Sequence, residues 1–316
     1  MGSRVVVVTG ASSGIGRAAA IRFAAAGDSL VLVARGREGL DEVASEIATE
    51  SLTLTADIRL GADVERVADE AVARFGRIDV WVDSAAVMAY GRFEDIPAEV
   101  FDRVVSTDLL GPANVARAAL RQFRRQGRGT LILCGSLLGH IATPYMSAYV
   151  TAKWGARGLV RSLRQELRDA PDIHICTLVP GSVDTPIYTS AANYAGFVGR
   201  PPPPVDTADR MGAAIVSLAD RPRFERSVGL TNRLFELGFV LLPPVYDTLV
   251  TPMMRRLALS RERTGPSVGN VFAPQPRTEA GPGRFGRGAV TAAGLLLVGA
   301  VAAGAAALAS AARRFT

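Results

Sequence analysis

The chain is short of the residues that build metal centres and disulfide frameworks. Its 316 residues include two cysteines, Cys134 and Cys176, and two histidines, His140 and His174. Each cysteine lies inside an apolar, strand-like run, so two buried thiols are expected and a disulfide scaffold is not. The histidines are too few and too far apart to complete a tetrahedral site with them, and no metal is expected. Aromatic residues make up 6 % of the chain and are not interleaved with basic runs. The formal charge of +6 therefore does not point to nucleic acid. An anionic cofactor or an anionic membrane surface accounts for it more simply. The N-terminus lacks the form of a signal peptide, because four valines at 5–8 run straight into a glycine turn. A cytoplasmic catalytic domain is the expectation.

What is present is alternation. Short apolar runs at 5–9, 29–34, 52–56, 79–82, 129–134 and 173–179 read as strands. Runs of helical period fill 16–26, 37–49, 62–75, 98–126 and 145–168 between them. The pattern predicts an α/β fold, a doubly wound, Rossmann-like parallel sheet with helices on both faces. Residues 187–204 are rich in Gly, Tyr and Ala and end in four prolines, which suits an insertion over the open end of the sheet and not an interior element. A helical pattern returns at 205–220, and 230–260 is apolar and helix-like but interrupted by Pro243, Pro244 and Pro252. These features predict one catalytic domain over 1–263, with its substrate region at about 186–260, and a Pro/Gly-rich linker at 264–288.

The last segment differs. Between Arg287 and Arg313 there are 25 residues without a charge, enough at about 1.5 Å per residue to span a hydrocarbon core of about 30 Å. A transmembrane helix over 289–312 is the expectation, against an Ala-rich soluble helix or tail. Only Thr291 and Ser310 are polar there, too few for the polar face of a soluble surface helix. Arginines at both ends leave the orientation open.

The most informative stretch is Thr9-Gly10-Ala11-Ser12-Ser13-Gly14-Ile15-Gly16, between the first strand and the first helix. A turn this tight needs residues without a Cβ, so that backbone N–H groups and the helix N-terminus can face a pyrophosphate. After the second strand come Arg35 and Arg37 with no acid between them. An acidic residue here would hold ribose hydroxyls and favour NAD; an arginine suits a 2′-phosphate, so NADP(H) is expected over NAD(H). Further on, Ser136 follows a strand, and Tyr149 and Lys153 stand at i and i+4 on one helical face. A lysine cation beside a tyrosine favours the phenolate and makes a proton carrier of a group otherwise titrating near pH 10.

Over roughly residues 4–230 the chain resembles the classical short-chain dehydrogenase/reductase family. The resemblance rests on the Thr-Gly-x-x-x-Gly-x-Gly turn, on Ser136, Tyr149 and Lys153, and on Pro180-Gly181-Ser182-Val183-Asp184-Thr185. It implies carbonyl–alcohol interconversion, with Tyr149 as general acid/base and Ser136 holding the substrate oxygen. The nucleotide would be bound by Gly10, Ser12, Ser13, Gly14, Ile15, Gly16, Arg35, Asp57, Ala85, Tyr149, Lys153, Pro180, Gly181, Val183 and Thr185. Asp57 matches a position that hydrogen-bonds adenine, and equally could cap a helix. Family members often form dimers or tetramers through the two long helices.

Two motifs depart from the family. Asp83-Ser84-Ala85-Ala86 stands where Asn-Asn-Ala-Gly is usual, and Asp108 replaces the asparagine that positions a water linking Lys153 to solvent. A carboxylate at Asp108 supports the lysine cation but opposes the phenolate. A catalytically weakened, cofactor-binding protein is therefore the second reading, behind an active reductase. Nucleotide-sugar epimerases share Tyr-x-x-x-Lys but use another glycine spacing. The apolar residues of the substrate region, Leu137, Leu138, Ile141, Met146, Ile187 and Tyr188 among them, suggest a steroid, retinoid or lipid-like carbonyl or alcohol as the partner.

Overall fold

The computed structural model describes residues 3–229 and 231–275. Seven parallel strands form the central sheet: β1 Val5–Thr9, β2 Ser29–Ala34, β3 Ser51–Thr55, β4 Val80–Asp83, β5 Gly129–Cys134, β6 Ile173–Pro180 and β7 Glu225–Val228. Their order is β7-β6-β5-β4-β1-β2-β3. Nine α-helices are described: α1 Gly14–Ala25, α2 Arg37–Glu46, α3 Gly61–Phe75, α4 Ala98–Val105, α5 Gly111–Gln126, α6 Ser147–Glu166, α7 Ala208–Asp220, α8 Asn232–Leu241 and α9 Pro243–Leu257. This is the expected Rossmann-like architecture.

Period-two alternation on strands buried from both sides divides the core into two layers. Val6, Val8, Leu30 and Leu32 pack with Ala19, Phe23 and Met211 from α1 and α7. Val7, Val31, Val33 and Trp81 face the other way, onto Val67, Val115, Phe123 and Val160 from α3, α5 and α6. A third cluster lies beyond the strand ends, where Val87, Tyr90, Val104, Ile141 and Tyr149 meet Ala192, Tyr246 and Met254. The chain reverses its order of travel between β1 and β4, and a crevice opens there at the carboxyl ends of the strands.

Four features differ from the sequence expectation. The helix expected over 98–126 is interrupted by a π-helical turn, Ser106–Leu110. The seventh strand, β7, was not expected, because Glu-Arg-Ser-Val has a single apolar residue. The region after 230 is two helices broken before Pro243 and Pro244, as expected, but Pro252, the third expected interruption, lies inside α9. Residues 264–275, of linker composition, are packed against the domain. The backbone of Ser267 exchanges hydrogen bonds with Asn193 at 2.7 and 3.0 Å, and Val271 is fully buried. No helix among the described residues is long and apolar enough to cross a membrane. The candidate span 289–312 and the rest of the expected linker, 276–288, lie outside the described residues.

Candidate active site

One cavity of about 260 Å³ runs along the crevice. The glycine turn forms one end. Gly10 has φ +80°, and an added Cβ would lie 2.7 Å from the amide nitrogen of Ala85. At Gly16 a Cβ would stand 2.2 Å from the carbonyl oxygen of Gly10, so the first turn of α1 can close on β1 only with glycine there. Ser13, the residue before α1, makes no side-chain hydrogen bond to the helix end. The N-terminal N–H groups of α1 thus have no side-chain cap, the state in which a helix N-terminus accepts an anion. Gly14, Thr185 and Asp57 line the same end. The residues present fit a dinucleotide: a cradle that a Cβ would fill, and a helix N-terminus without a cap.

Asp57 does not cap a helix. Its carboxylate accepts from the backbone and guanidinium of Arg59, at distances down to 2.6 Å, in an Asx-type turn. The structure gives Arg35 a partner the sequence did not suggest. Its two terminal nitrogens donate to the carbonyl oxygens of Val271 at 3.1 Å and Asn270 at 2.6 Å. Arg37 is on the surface, paired with Asp41.

Ser136, Tyr149 and Lys153 come together at the other end of the cavity. Ser136 leaves β5 in extended conformation and its hydroxyl accepts from the Leu138 amide at 3.1 Å. Tyr149 and Lys153 emerge one turn apart from α6, the lysine nitrogen lying 5.3 Å from the centre of the tyrosine ring. That nitrogen donates to the carbonyl oxygen of Cys134 at 3.3 Å and stands 3.6 Å from Oδ2 of Asp108. Ser12, Ser13, Ile15, Ala85, Pro180, Gly181 and Val183 also line the cavity. Of the residues read from sequence, Gly16 and Asp108 stand behind its wall.

The π turn brings Asp108 inward. An extra residue per turn rotates the carboxylate to the sheet side, where it is fully buried. Its Oδ1 accepts from the Val87 amide at 2.9 Å, and Oδ2 has no hydrogen-bond partner. Asp83, at the end of β4, accepts from the Thr9 hydroxyl at 2.7 Å. Two carboxylates thus flank one lysine beside a cavity of about 30 Å³, which His140 also lines. His140 sits between Glu225 at 3.4 Å and Glu236 at 3.5 Å. Ala86 is outside the left-handed region, since Tyr145 is the only non-glycine with positive φ among the described residues.

Electrostatics follow from burial. Loss of solvent raises Asp108 to about 6 against the pull of Lys153 and the Val87 amide, with Asp83 adding to the rise. Asp83 is likewise raised to about 6, by burial, against Thr9 and Lys153. Burial pulls Lys153 down, but Tyr149, Asp108 and Asp83 together outweigh it and hold the ammonium above its ordinary value. For Tyr149 burial is the largest influence and pushes the phenol up; Lys153 and Ser136 oppose it, Asp108 reinforces it. The lysine effect expected from the sequence is present, and desolvation exceeds it.

The short chain dehydrogenase family model matches residues 4–194. The chain belongs to this family. An uncharacterized oxidoreductase of Bacillus subtilis, YxnA, is 33 % identical over 261 residues, which is 79 % of this chain and 72 % of that protein. The sepiapterin reductase of Chlorobaculum tepidum is 34 % identical over 58 % of this chain and 79 % of its own. Among solved structures, an alcohol dehydrogenase of the archaeon Thermococcus sibiricus, complexed with 5-hydroxy-NADP, is similar with a TM-score of 0.63 and 30 % identity. That match covers 72 % of this chain and 96 % of the archaeal one. The protein is thus an oxidoreductase of the short-chain dehydrogenase family, which uses a nicotinamide nucleotide.

The cavity also has lining residues that sequence reasoning missed. Asn270 comes from the segment read as linker, and Thr231 and Asn232 from the start of α8. Asn232 is signalled only by tertiary structure: its side chain donates to the carbonyl oxygens of Val179 and Val228, each at 3.3 Å, and to the Ser227 hydroxyl at 3.0 Å. No local pattern marks such a residue.

Proposed function

We propose that the protein is an NADP(H)-dependent oxidoreductase that interconverts an apolar ketone or aldehyde and its alcohol, with Tyr149 as general acid/base. The observation that carries this reading is the meeting of Ser136, Tyr149 and Lys153 on one cavity with the uncapped N-terminus of α1 at its other end. The nicotinamide, when bound, supplies or takes the hydride. Ser136 donates a hydrogen bond to the substrate oxygen and holds it within reach of the Tyr149 hydroxyl. Tyr149 gives its proton to that oxygen in reduction and takes it back in oxidation. Lys153, held cationic by Asp108 and Asp83, stabilises the phenolate that remains.

An apolar substrate is supported by the wall around Tyr149, where Leu138, Ile141, Met146, Tyr188, Phe235 and Met253 face the cavity. Arg35 at the nucleotide end supports NADP(H) over NAD(H). Attachment to a membrane through 289–312 is supported by the sequence alone. The tip between α8 and α9 adds an apolar surface, with Leu237, Val240 and Leu241 each more than half exposed. Dimers or tetramers through α4–α5 and α6 complete the reading.

The first test is a titration of NADPH and NADH against the whole chain by nicotinamide fluorescence, followed by turnover of lipophilic and short polar ketones. Tight NADPH binding, weak NADH binding and preferred turnover of lipophilic ketones are expected. Faster turnover of short polar ketones would remove the apolar substrate, and equal binding of both nucleotides would remove the role of Arg35. A second reading is a binding protein with little catalysis. Asp108 favours it, because its charge holds the Tyr149 phenol up. Under that reading Asp108→Asn produces a large rise in rate.

A further inference from the structure

The cavity is lined by more polar groups than the proton chemistry uses. Among the described residues, eleven buried side-chain polar atoms have no hydrogen-bond partner. Five of them, on Tyr90, Thr107, Thr143, Ser190 and Asn232, belong to residues that line this one cavity. A buried polar group without a partner is costly, and such a concentration at one cavity points to a ligand and not to scattered faults of packing. Asn232 lies against Gly181, where an added Cβ would stand 2.6 Å from its Oδ1, and Thr107 precedes Asp108. Both adjoin parts of the site already described. Tyr90, Thr143 and Ser190 form a group of their own.

Backbone bonds stitch their three segments into one wall. Ala89–Tyr90 pairs in parallel with Ala192–Asn193. The amides of Ala192 and Tyr194 donate to the carbonyl oxygens of Met88 at 2.9 Å and Tyr90 at 2.6 Å. The Gly91 amide donates to the carbonyl oxygen of Tyr145 at 3.0 Å, which brings in the loop that carries Thr143. The Tyr246 hydroxyl donates to the carbonyl oxygen of Ala142 at 2.8 Å and ties that loop to α9. Tyr90, Ile141 and Met146 share a buried cluster with Tyr149, so this wall adjoins the reacting end. Residues 88–91, 142–146 and 190–194 include no charged side chain. Burial, with Tyr188 and Tyr149 adding to it, holds the Tyr90 phenol well above its ordinary value, and it stays a donor.

We infer that Tyr90, Thr143 and Ser190 form a second polar subsite, which takes a neutral oxygen function of the substrate besides the one that reacts at Ser136 and Tyr149. The substrate is then an apolar skeleton with two oxygens, a hydroxy-ketone, diketone or diol, and not a plain ketone. Each of the three hydroxyls can donate or accept, which suits a hydroxyl or a carbonyl. A carboxylate or phosphate does not suit this wall, because burying a charge without a facing cation costs far more than burying a hydroxyl. A ligand oxygen gives these hydroxyls the partner that the protein does not, whereas hydrocarbon in the same place leaves them unpaired. Sites of this kind reject the analogue lacking the oxygen far more sharply than an apolar pocket discriminates by size. The three residues determine specificity and take no part in hydride or proton transfer. This inference rests on the ketone–alcohol reading of Ser136 and Tyr149.

The test measures kcat/KM on the full chain, with whichever of NADPH and NADH binds, for a fused-ring monoketone and for its derivatives carrying one hydroxyl at successive ring positions. At least one derivative is expected to be preferred over the monoketone by about 10²-fold. Tyr90→Phe, Thr143→Val and Ser190→Ala each remove one hydroxyl with little change of shape. Each is expected to lower that preference about fivefold to tenfold, the worth of one neutral hydrogen bond. Thermal melting gives a readout without substrate: losing an unpartnered buried hydroxyl leaves the melting temperature unchanged or higher, and losing one bonded within the fold lowers it. If no ketone of the set is reduced, the ketone–alcohol reading falls and the subsite with it. If the monoketone is reduced as well as every derivative, or the variants leave the preference untouched, the reaction stands and the subsite falls. A lowered melting temperature in all three variants makes the hydroxyls structural, and lost nucleotide affinity in Tyr90→Phe assigns its hydroxyl to the cofactor; either result overturns the proposal.

Discussion

The two ends of the cavity are built by different means. At the nucleotide end, the chain comes straight off the central sheet: β1, the Gly10–Gly16 turn and α1 are consecutive, and the critical clashes involve backbone atoms. At the substrate end, the walls come from residues far apart in sequence, including the loop after β6 and the α8–α9 pair. Local geometry fixes the first end, and tertiary packing of apolar side chains fixes the second. The first tolerates almost no change at its glycines. The second can be altered residue by residue, with effects on what binds more than on whether the protein folds.

The strongest test of that contrast is at the reacting atoms. Tyr149→Phe keeps the ring and removes the proton, and kcat is expected to fall by about 10²–10⁴, the usual contribution of a general acid/base. NADPH binding should change little. A variant retaining a tenth or more of wild-type kcat would move the proton chemistry elsewhere. Next comes Gly16→Ala at the nucleotide end, where the Cβ would lie 2.2 Å from the Gly10 carbonyl oxygen. About 3 kcal/mol or more of stability should be lost, read from the urea midpoint at unchanged slope. Unchanged stability would mean that the turn is far more pliable than its geometry implies.

The buried carboxylates give a smaller effect with a definite pH dependence. Burial raises Asp108 to about 6 in the folded protein, above its unfolded value of about 4. Ionisation between about pH 4 and about pH 6 therefore weakens the native state, and the full cost of about 2–3 kcal/mol persists at higher pH. Asp108→Asn should raise Tm at pH 8 and leave it nearly unchanged at pH 4. Asp83→Asn should do the same, while the double variant, which leaves Lys153 without a carboxylate, should be less stable than either. Additive gains in the double variant would break the picture of two carboxylates sharing one lysine. Smallest of all, Phe235→Ala at the substrate end should raise KM for a lipophilic ketone about tenfold with NADPH Kd unchanged. A loss confined to NADPH binding would show that α8 belongs to the nucleotide end.

The same contrast explains what could be read from sequence. The glycine turn, Ser136, Tyr149 and Lys153 were legible because their chemistry demands residue types at set spacings along consecutive elements. Five strands were legible because burial on both faces leaves apolar runs such as Val5 to Val8, and β3, at the sheet edge, because its leucines alternate with threonines. Arg35 was legible as a residue but not as a contact, since its partners are 235 and 236 positions away. The packing of residues 264–275 against the domain was hidden by their Pro- and Gly-rich composition, which a mobile linker shares. At β7, pairing with β6 makes a strand of a sequence with no strand pattern of its own. The π turn left no periodic trace either, because one extra residue shifts a helical pattern without erasing it.

That extra residue works as a splice. Upstream of it, Val100 and Val104 belong to the cluster beyond the strand ends; downstream, Val115, Ala116, Ala119 and Phe123 belong to the layer under the sheet. An α-helix advances about 100° per residue, so a continuous rod of regular pitch would set these two rows at a different mutual angle. The wider turn at Ser106–Leu110 supplies the missing phase and lets one rod serve two cores. Deleting a single residue there would force one row of valines out of its core, whatever became of the aspartate.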